Sequence, residues 1–298
     1  MRIRVARPDD APGVVALRAI VYPYLVRGVE STRKMIAEPI PGRGWAAFVA
    51  EVDAQVVGWV TAQRNASTST ANFGDITLLH VHPEYRQRGI GSALLSTATD
   101  HLAPMGIHRL RGFAQPEALP FARRRGYEPS RELRFSALDL DPAPALPDPP
   151  PGVRLRPLAD LDPHLLYEAD VASAVDEPGD VPVDAMSYES WLYDVWENLG
   201  LDKTASTAAE VDGEVAAYSV VKRDGDRMWS DYTCSVPAYR GRGLARLAKT
   251  AALHRAAANG VRVAYTSNDE ANAPMLAINA RLGYRPVAAE WSCLADLT

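Results

Sequence analysis

Apolar and polar positions along this chain fall into blocks, and the blocks occur twice. From Ala47 to Val60 an apolar, β-branched run is broken by Asp53-Ala54, and from Ala208 to Val221 a similar run is broken by Asp212-Gly213. Such runs read as strands and the polar break as a hairpin turn, because Asp-Gly accepts the positive φ of a tight turn. A further strand is predicted over 75–81 and 228–236, each leading into a proline. Ile90, Leu94, Leu95, Ala98 and Leu102 then follow helical spacing, as do Leu244, Leu247, Ala248, Ala251 and Ala252. Gly106 and Gly260, each 15 residues beyond Gly91 and Ala245, are placed as helix caps. A short strand (110–113; 261–266) and a helix ending at Gly126-Tyr127 or Gly283-Tyr284 close each block. Preceded by a helical N-terminal part, this order predicts an α/β sandwich around a mixed sheet.

The repetition is also literal. Pro8 in Val5-Ala6-Arg7-Pro8 aligns with Pro157 in Arg154-Leu155-Arg156-Pro157 at an offset of 149, and Ala50-Glu51-Val52-Asp53 recurs as Ala209-Glu210-Val211-Asp212 at 159. Pro83-Glu-Tyr-Arg-Gln-Arg-Gly-Ile-Gly91 matches Pro237-Ala-Tyr-Arg-Gly-Arg-Gly-Leu-Ala245 at 154, and the Gly-Tyr pairs match at 157. Ordered matches with slowly drifting offsets mean one fold written twice. Between the copies, six of the fourteen residues Asp139–Gly152 are proline, which fixes φ and lacks an N–H, so the stretch reads as an extended, semi-rigid linker. The expected domains are 1–140 and 152–298, joined by 141–151.

Composition narrows the class. The 298 residues suit two domains, and 47% hydrophobic with 23% charged is ordinary for a globular protein. Two cysteines cannot build a disulfide framework, and neither a signal peptide nor a membrane span is read from the sequence, so a soluble cytoplasmic protein with no membrane partner is expected. A net charge of -5 argues against general nucleic-acid binding. That total hides +5 over residues 1–140 and -8 over 152–298, with 15 acidic side chains against the single Lys203 between residues 160 and 214.

The chemistry sits in the matched proline–arginine–glycine segments. A strand, a proline and then Arg-x-x-Gly-x-Gly/Ala opening a helix gathers unpaired backbone N–H groups, a helix-dipole end and guanidinium groups at one place, which suits a pyrophosphate. The residues are Arg86, Gln87, Arg88, Gly89, Ile90, Gly91 and Ser92 after Val81, and Arg240, Gly241, Arg242, Gly243, Leu244, Ala245 and Arg246 after Ser235 and Val236. A dinucleotide-binding fingerprint fits poorly, lacking the leading arginine and the strand-proline-tyrosine lead-in. These segments resemble the GNAT superfamily of acetyl-CoA-dependent N-acetyltransferases, over nearly the whole chain and twice. The likeness extends to the tandem-GNAT proteins of actinobacteria, mycothiol synthase among them, and nothing singles out that enzyme. It implies an α/β (α+β) fold with two tandem GNAT domains. Each would be a twisted, mainly antiparallel mixed sheet flanked by helices, with acetyl-CoA as donor. The strand ends near Leu79–Val81 and Thr233–Ser235 would then pair with the pantetheine arm like an added strand.

The resemblance also separates the copies. In the second, Asn268 and Asn272 fit the family position that contacts CoA, and Asn279 stands where a tyrosine is expected to protonate the thiolate; an amide donates a hydrogen bond but is no acid near neutral pH. In the first, Pro116-Glu-Ala-Leu-Pro-Phe-Ala122 has neither asparagine nor tyrosine. The second copy is therefore expected to be catalytic and the first a degenerate partner whose loop remains a CoA-binding candidate. Asp231, six residues before Pro237, is the candidate base, with Asp75, eight before Pro83, its counterpart on the same face of an alternating strand. A solvated strand-end acid is the competing reading of each. Tyr232 and Tyr265 are alternative proton donors. His80 and His82 lack a third ligand, so no metal is expected, and Cys234 reads as a buried small hydrophobe.

By family analogy the segment before the second copy's hairpin lines the acceptor side, and it carries Asp170, Asp176, Glu177, Asp180, Asp184, Glu189, Asp194 and Glu197, with Trp191 and Trp196. Opposite charge attracts cations, so a polycationic or amino-bearing small molecule is the expected acceptor, against the alternative of a solvated acidic face. The expected activity is acetyl transfer to a primary amine by direct attack in a ternary complex, from a monomer or homodimer. A non-catalytic acyl-CoA sensor or scaffold and a mycothiol-synthase-like acetyltransferase are the alternatives.

Overall fold

The protein is described by a computed structural model covering residues 1–174, 178–184 and 186–297. The first copy runs β1 (Arg2–Val5), α1 (Ala11–Val21), α2 (Val29–Ala37), β2 (Ala46–Val52), β3 (Gln55–Arg64), β4 (Phe73–Val81), α3 (Ile90–Leu102), β5 (Arg109–Ala114), α4 (Leu119–Arg123) and β6 (Glu128–Asp139). The second runs β7 (Val153–Pro157), α5 (Pro163–Ala174), α6 (Tyr188–Trp191), β8 (Thr207–Val211), β9 (Glu214–Asp224), β10 (Arg227–Ser235), α7 (Leu244–Ala258), β11 (Val263–Asp269), α8 (Ala273–Leu282) and β12 (Arg285–Asp296). Among the described residues no helix is long and apolar enough to cross a membrane.

The α/β character and the central strands follow the hydrophobic pattern. The hairpin turns need two consecutive positive φ angles, at Asp53 (49°) and Ala54 (63°) and at Asp212 (51°) and Gly213 (88°), so an alanine carries in the first turn what a glycine carries in the second. The repeated Ala-Glu-Val-Asp has a structural reason: Glu51 accepts from Arg4 of β1 at 2.6 Å, and Glu210 accepts from Arg154 and Arg156 of β7 at 2.6 and 2.8 Å, pinning each opening strand to its hairpin. Two features escape the block pattern. An opening strand lies inside the region read as helical, and a long closing strand follows each Gly-Tyr pair, its alternation masked by polar residues in Glu128–Asp139 and Arg285–Asp296.

The chain folds into two compact units, Met1–Leu133 with the residues from Ala289 onward, and Arg134–Ala288. In the first unit the strand order is β1-β2-β3-β4-β5-β12, with Trp291–Asp296 antiparallel to β5. In the second it is β7-β8-β9-β10-β11, followed by β6 beside β11. The latter half of each copy's closing strand thus completes the sheet of the other unit. The units do not divide at the proline-rich stretch, which has neither helix nor strand between Leu140 and Gly152. Leu140 is buried in the second unit's core, and His254 Nδ1 lies 3.0 Å from the Pro144 carbonyl oxygen.

Each sheet is covered on both faces. In the first unit Phe48, Val60 and Ile76 pack against Ile90, Leu94 and Leu102 of α3, while Val49 and Trp59, on the opposite face by strand alternation, pack against Val14 and Leu17 of α1. In the second, Ala209, Ala216 and Ala217 meet Leu244 and Ala248 of α7, and Ala208, Val215 and Tyr218 meet Leu166 and Ala169 of α5. Each fully buried leucine stabilises by about 2 kcal/mol.

Candidate active site

The helix α3 carries the chain from β4 to the parallel strand β5, and α7 carries it from β10 to β11. Parallel pairing spans only Phe73–Asp75 with Arg109–Arg111, and Arg227–Trp229 with Val263–Tyr265. Beyond those residues β4 and β10 part from their neighbours, leaving a wedge whose backbone groups suit an extended chain added as a strand. Both strands bulge there against the hairpin: between Trp59/His80 and Thr61/Thr77 in the first unit, where Leu78 has φ 55°, and at Asp231 in the second, between Ser230 and Tyr232. A bulge re-aims side chains and backbone groups at the mouth of a site.

The two proline–arginine–glycine loops have nearly the same backbone. Arg86 and Arg240 are extended (φ -64°, ψ 162° and φ -65°, ψ 159°). Gln87 and Gly241 are left-handed (61° and 76°), and so are Gly89 and Gly243 (81° and 76°). Left-handed residues at alternate positions turn successive N–H groups into one concavity, an anion nest. The first intrahelical donors are Ala93 N to Gly89 O and Leu247 N to Gly243 O, so the N–H groups of 90–92 and 244–246 face outward from the helix ends. A Cβ placed on Gly89, Gly241 or Gly243 would meet nothing within 4 Å, so the space over the nest is open. The flanking guanidinium groups are exposed: Arg86 Nε donates to Val81 O (3.2 Å), Arg240 Nε to Ser235 O (3.4 Å), and Arg88 and Arg242 lie over Tyr85 and Tyr239. This open, doubly cationic nest fits a CoA pyrophosphate in both units. Gly91 and Ala245 are interchangeable, because a Cβ on Gly91 has only ordinary contacts, at 3.6 Å or more, with Phe121 and Val81.

Farther along, the copies diverge. Asn272 caps the ten-residue α8, its Oδ1 accepting from Met275 N at 3.3 Å. Asn279 is buried in that helix, its amide donating to Asn268 Oδ1 at 2.5 Å, while its own oxygen has no partner among the described residues. Two of the three asparagines therefore grip each other and the third holds the helix. In the first unit α4 has only five residues, and Arg125 donates to Ser92 Oγ.

Two acids of the second unit, Asp170 and Asp231, lie near each other at its wedge. Asp231 is exposed and pairs with Lys222 Nζ at 2.7 Å. Asp170, in the second half of α5, accepts from the hydroxyl of Tyr218, and burial raises its carboxyl above the usual range against that hydrogen bond, with the charge of Asp231 adding to the rise. Cys234 donates to Ser173 Oγ at 3.2 Å, and burial pushes its thiol up to about 12, which keeps it protonated and unsuited to nucleophilic work. Tyr218 stacks on Tyr232 with ring centroids 5.8 Å apart. Around them Tyr167, Tyr188, Trp191 and Trp196 form a run of ring contacts ending with Lys203 over Trp196 at 4.3 Å. Of the acidic run, Asp184, Glu189 and Glu197 are exposed, while Asp176 and Glu177 lie outside the described residues. Tyr218 and Ser173 gave no sequence signal, being single polar groups in apolar runs.

In the first unit, Asp75 is buried and paired with Arg111 at 2.8 Å. His80 stacks on Tyr22 at 5.5 Å, and Tyr22 hydrogen-bonds Glu290. The only trace of Glu290 in the sequence is one acid amid the apolar positions of the closing strand.

Comparison with known proteins agrees with this geometry. The model of the acetyltransferase (GNAT) family matches residues 21–127 and 172–284. A mycothiol acetyltransferase of Amycolatopsis mediterranei is 30% identical over 83% of this chain and 84% of its own length, and one from a Nocardioides species is 30% identical over 83% and 88%. A tandem GNAT protein from the clavulanic acid biosynthesis pathway shares the fold at 21% identity, with a TM-score of 0.77 over 99% of this chain and 98% of that one.

Proposed function

This chain belongs to the GNAT acetyltransferase family, and from that premise we propose that its second unit acetylates a primary amine of a small, cationic molecule, with acetyl-CoA as donor. The observation that carries this reading is the Asp170–Tyr218 pair beside Asp231 at the open edge of β10. Arg240–Arg246 hold the pyrophosphate through the nest and the guanidinium groups, and the edge of β10 at Ser235 and Val236 orients the pantetheine arm. The bound donor supplies an activated acetyl group. Asn279, through its amide, positions Asn268 beside that arm. Asp231, with Asp170 near it, attracts the acceptor's ammonium group. Asp170 takes the ammonium proton, because a carboxyl with a raised pKa is a better base than an ordinary one and Tyr218 fixes its orientation.

Thiol release from acetyl-CoA with spermidine, neomycin and neutral or anionic amines tests this. Spermidine and neomycin are expected to react, and Asp170→Asn to lower kcat by about 10²–10⁴-fold. Reaction with neutral or anionic amines alone would refute the acidic acceptor site. The relatives' shared name favours a second reading, mycothiol acetyltransferase activity, which the same assay tests by measuring mycothiol formation.

A further inference from the structure

The first unit holds a second buried carboxyl–phenol pair at its own wedge. Tyr22 closes α1, its N–H bonded to Arg18 O at 2.7 Å. Its ring stacks on His80, which lies on the part of β4 beyond the last parallel pair with β5. Glu290 precedes Trp291, the first residue of β12 paired with β5, and therefore stands beside Gln115, whose amide donates to Val21 O at 3.3 Å. The ends of α1, β4 and β5 and the middle of β12 thus converge on Tyr22, His80 and Glu290, all within the first unit. Glu290 and His80 are 8% and 7% exposed. Burial holds the Glu290 carboxyl up at about 7, with the Tyr22 hydrogen bond drawing it the other way. Burial, with the charges of Arg18 and Arg86, pushes His80 down to about 3, so the imidazole is neutral.

We propose that the first unit is a second acyl-acceptor site, in which Glu290, delivered by the closing strand of the second copy, removes the proton of an acceptor amine. The proposal rests on family membership and is independent of which side chains serve the second unit. Two protons leave nitrogen. An N–H bond of the acceptor ammonium breaks with its electron pair left on nitrogen, an O–H bond forms on Glu290, and the carboxyl then returns the proton to water. The freed amine forms an N–C bond with the thioester carbonyl of acyl-CoA, held by the loop Arg86–Ser92; the C–S bond breaks with its electron pair on sulfur, and the second nitrogen proton ends on that sulfur as the CoA thiol. The acceptor class differs from that of the second unit: with the cationic Arg18 near the imidazole, the site suits a monoamine with a neutral or anionic remainder and disfavours a polyamine.

The test uses the full chain with Arg240→Ala and Gly243→Val, which removes the second unit's nest. This variant is expected to bind acetyl-CoA and to release thiol with O-phosphoethanolamine faster than with spermidine. Adding Glu290→Gln should lower kcat at least ~100-fold without changing the KM for acetyl-CoA, and Glu290→Asp should restore part of the loss. A readout that needs no turnover is infrared difference spectroscopy with ¹³C-labelled glutamate. Adding O-phosphoethanolamine should change one carboxyl group's protonation, and Glu290→Gln should abolish that change. Should Glu290→Gln not fold, Tyr22→Phe keeps the carboxyl and must keep the infrared change. Acetyl-CoA binding without thiol release for any amine, or an infrared change that survives Glu290→Gln, overturns the proposal, as does its absence in both the parent and Tyr22→Phe.

Discussion

The two units hold backbone nests of nearly the same angles and quite different acid–base surroundings. At the nest the constraint is on backbone angles, and left-handed residues at alternate positions satisfy it whether the first is Gln87 or Gly241. At the wedge, His80 in one copy corresponds to Cys234 in the other, and the acid bonded to a tyrosine comes from the closing strand in the first unit but from α5 in the second. On the proposed assignments donor binding rests on the main chain, which tolerates sequence drift, whereas acceptor chemistry rests on side chains, which are free to diverge after duplication.

The strongest way to break this comparison is at the nests. Valine cannot adopt the φ of 76° at Gly243 or 81° at Gly89 without strain. Gly243→Val should reduce acetyl-CoA stoichiometry by one site in titration calorimetry and lower acetylation of a cationic amine by at least ~100-fold. If Gly89→Val abolished that activity while Gly243→Val spared it, the roles of the units would be reversed.

A smaller effect separates the helices behind the nests. Lys249 of α7 is fully buried over the Tyr284 ring at 5.0 Å, and burial drives its amine from 10.5 down to about 7; the matching position in α3 is the half-buried Leu95. Between pH 7 and 10.5 the unfolded chain holds a proton that the folded chain has lost, so stability rises with pH through that window, and the full penalty is present below it. Each pH unit by which folding lowers the amine's pKa costs about 1.4 kcal/mol. Lys249→Met should therefore raise stability by a few kcal/mol at pH 6 and progressively less toward pH 10, as read by denaturant unfolding. Leu95→Lys, at a site with access to water, should change stability much less.

The smallest effect lies in the hairpins. Ala54 occupies a left-handed angle that Gly213 occupies in the other copy. Ala54→Gly should stabilise by up to about 1 kcal/mol and Gly213→Ala destabilise by a similar amount, measured by thermal melts. Equal and opposite shifts would show that the two turns are energetically equivalent.

Much of this architecture was legible because hydrophobic spacing and glycine placement are local. The hairpins, the two wedge strands and the helices α3 and α7 came from periodicity, and the nests from proline, arginine and glycine at fixed spacing. The closing strands were not legible, since Glu128–Asp139 and Arg285–Asp296 mix charge into a pattern that only pairing reveals. Nor could spacing show that the Asn279 amide turns to Asn268, that Asp231 is held by Lys222, or that Glu290 is brought to Tyr22 from 268 positions away. Those are long-range partnerships, and the acids involved look like any solvated acid until the fold chooses their neighbours.

The exchanged closing strands also set an order of manufacture. A ribosome releases the whole of Arg134–Ala288 before Ala289 and the residues after it, which the first unit needs to complete its sheet beside β5. The half translated first is therefore finished last, and until then it presents an unpaired strand edge of the kind that seeds aggregation. A cut at the proline-rich stretch would leave β5 without the β12 residues that pair with it.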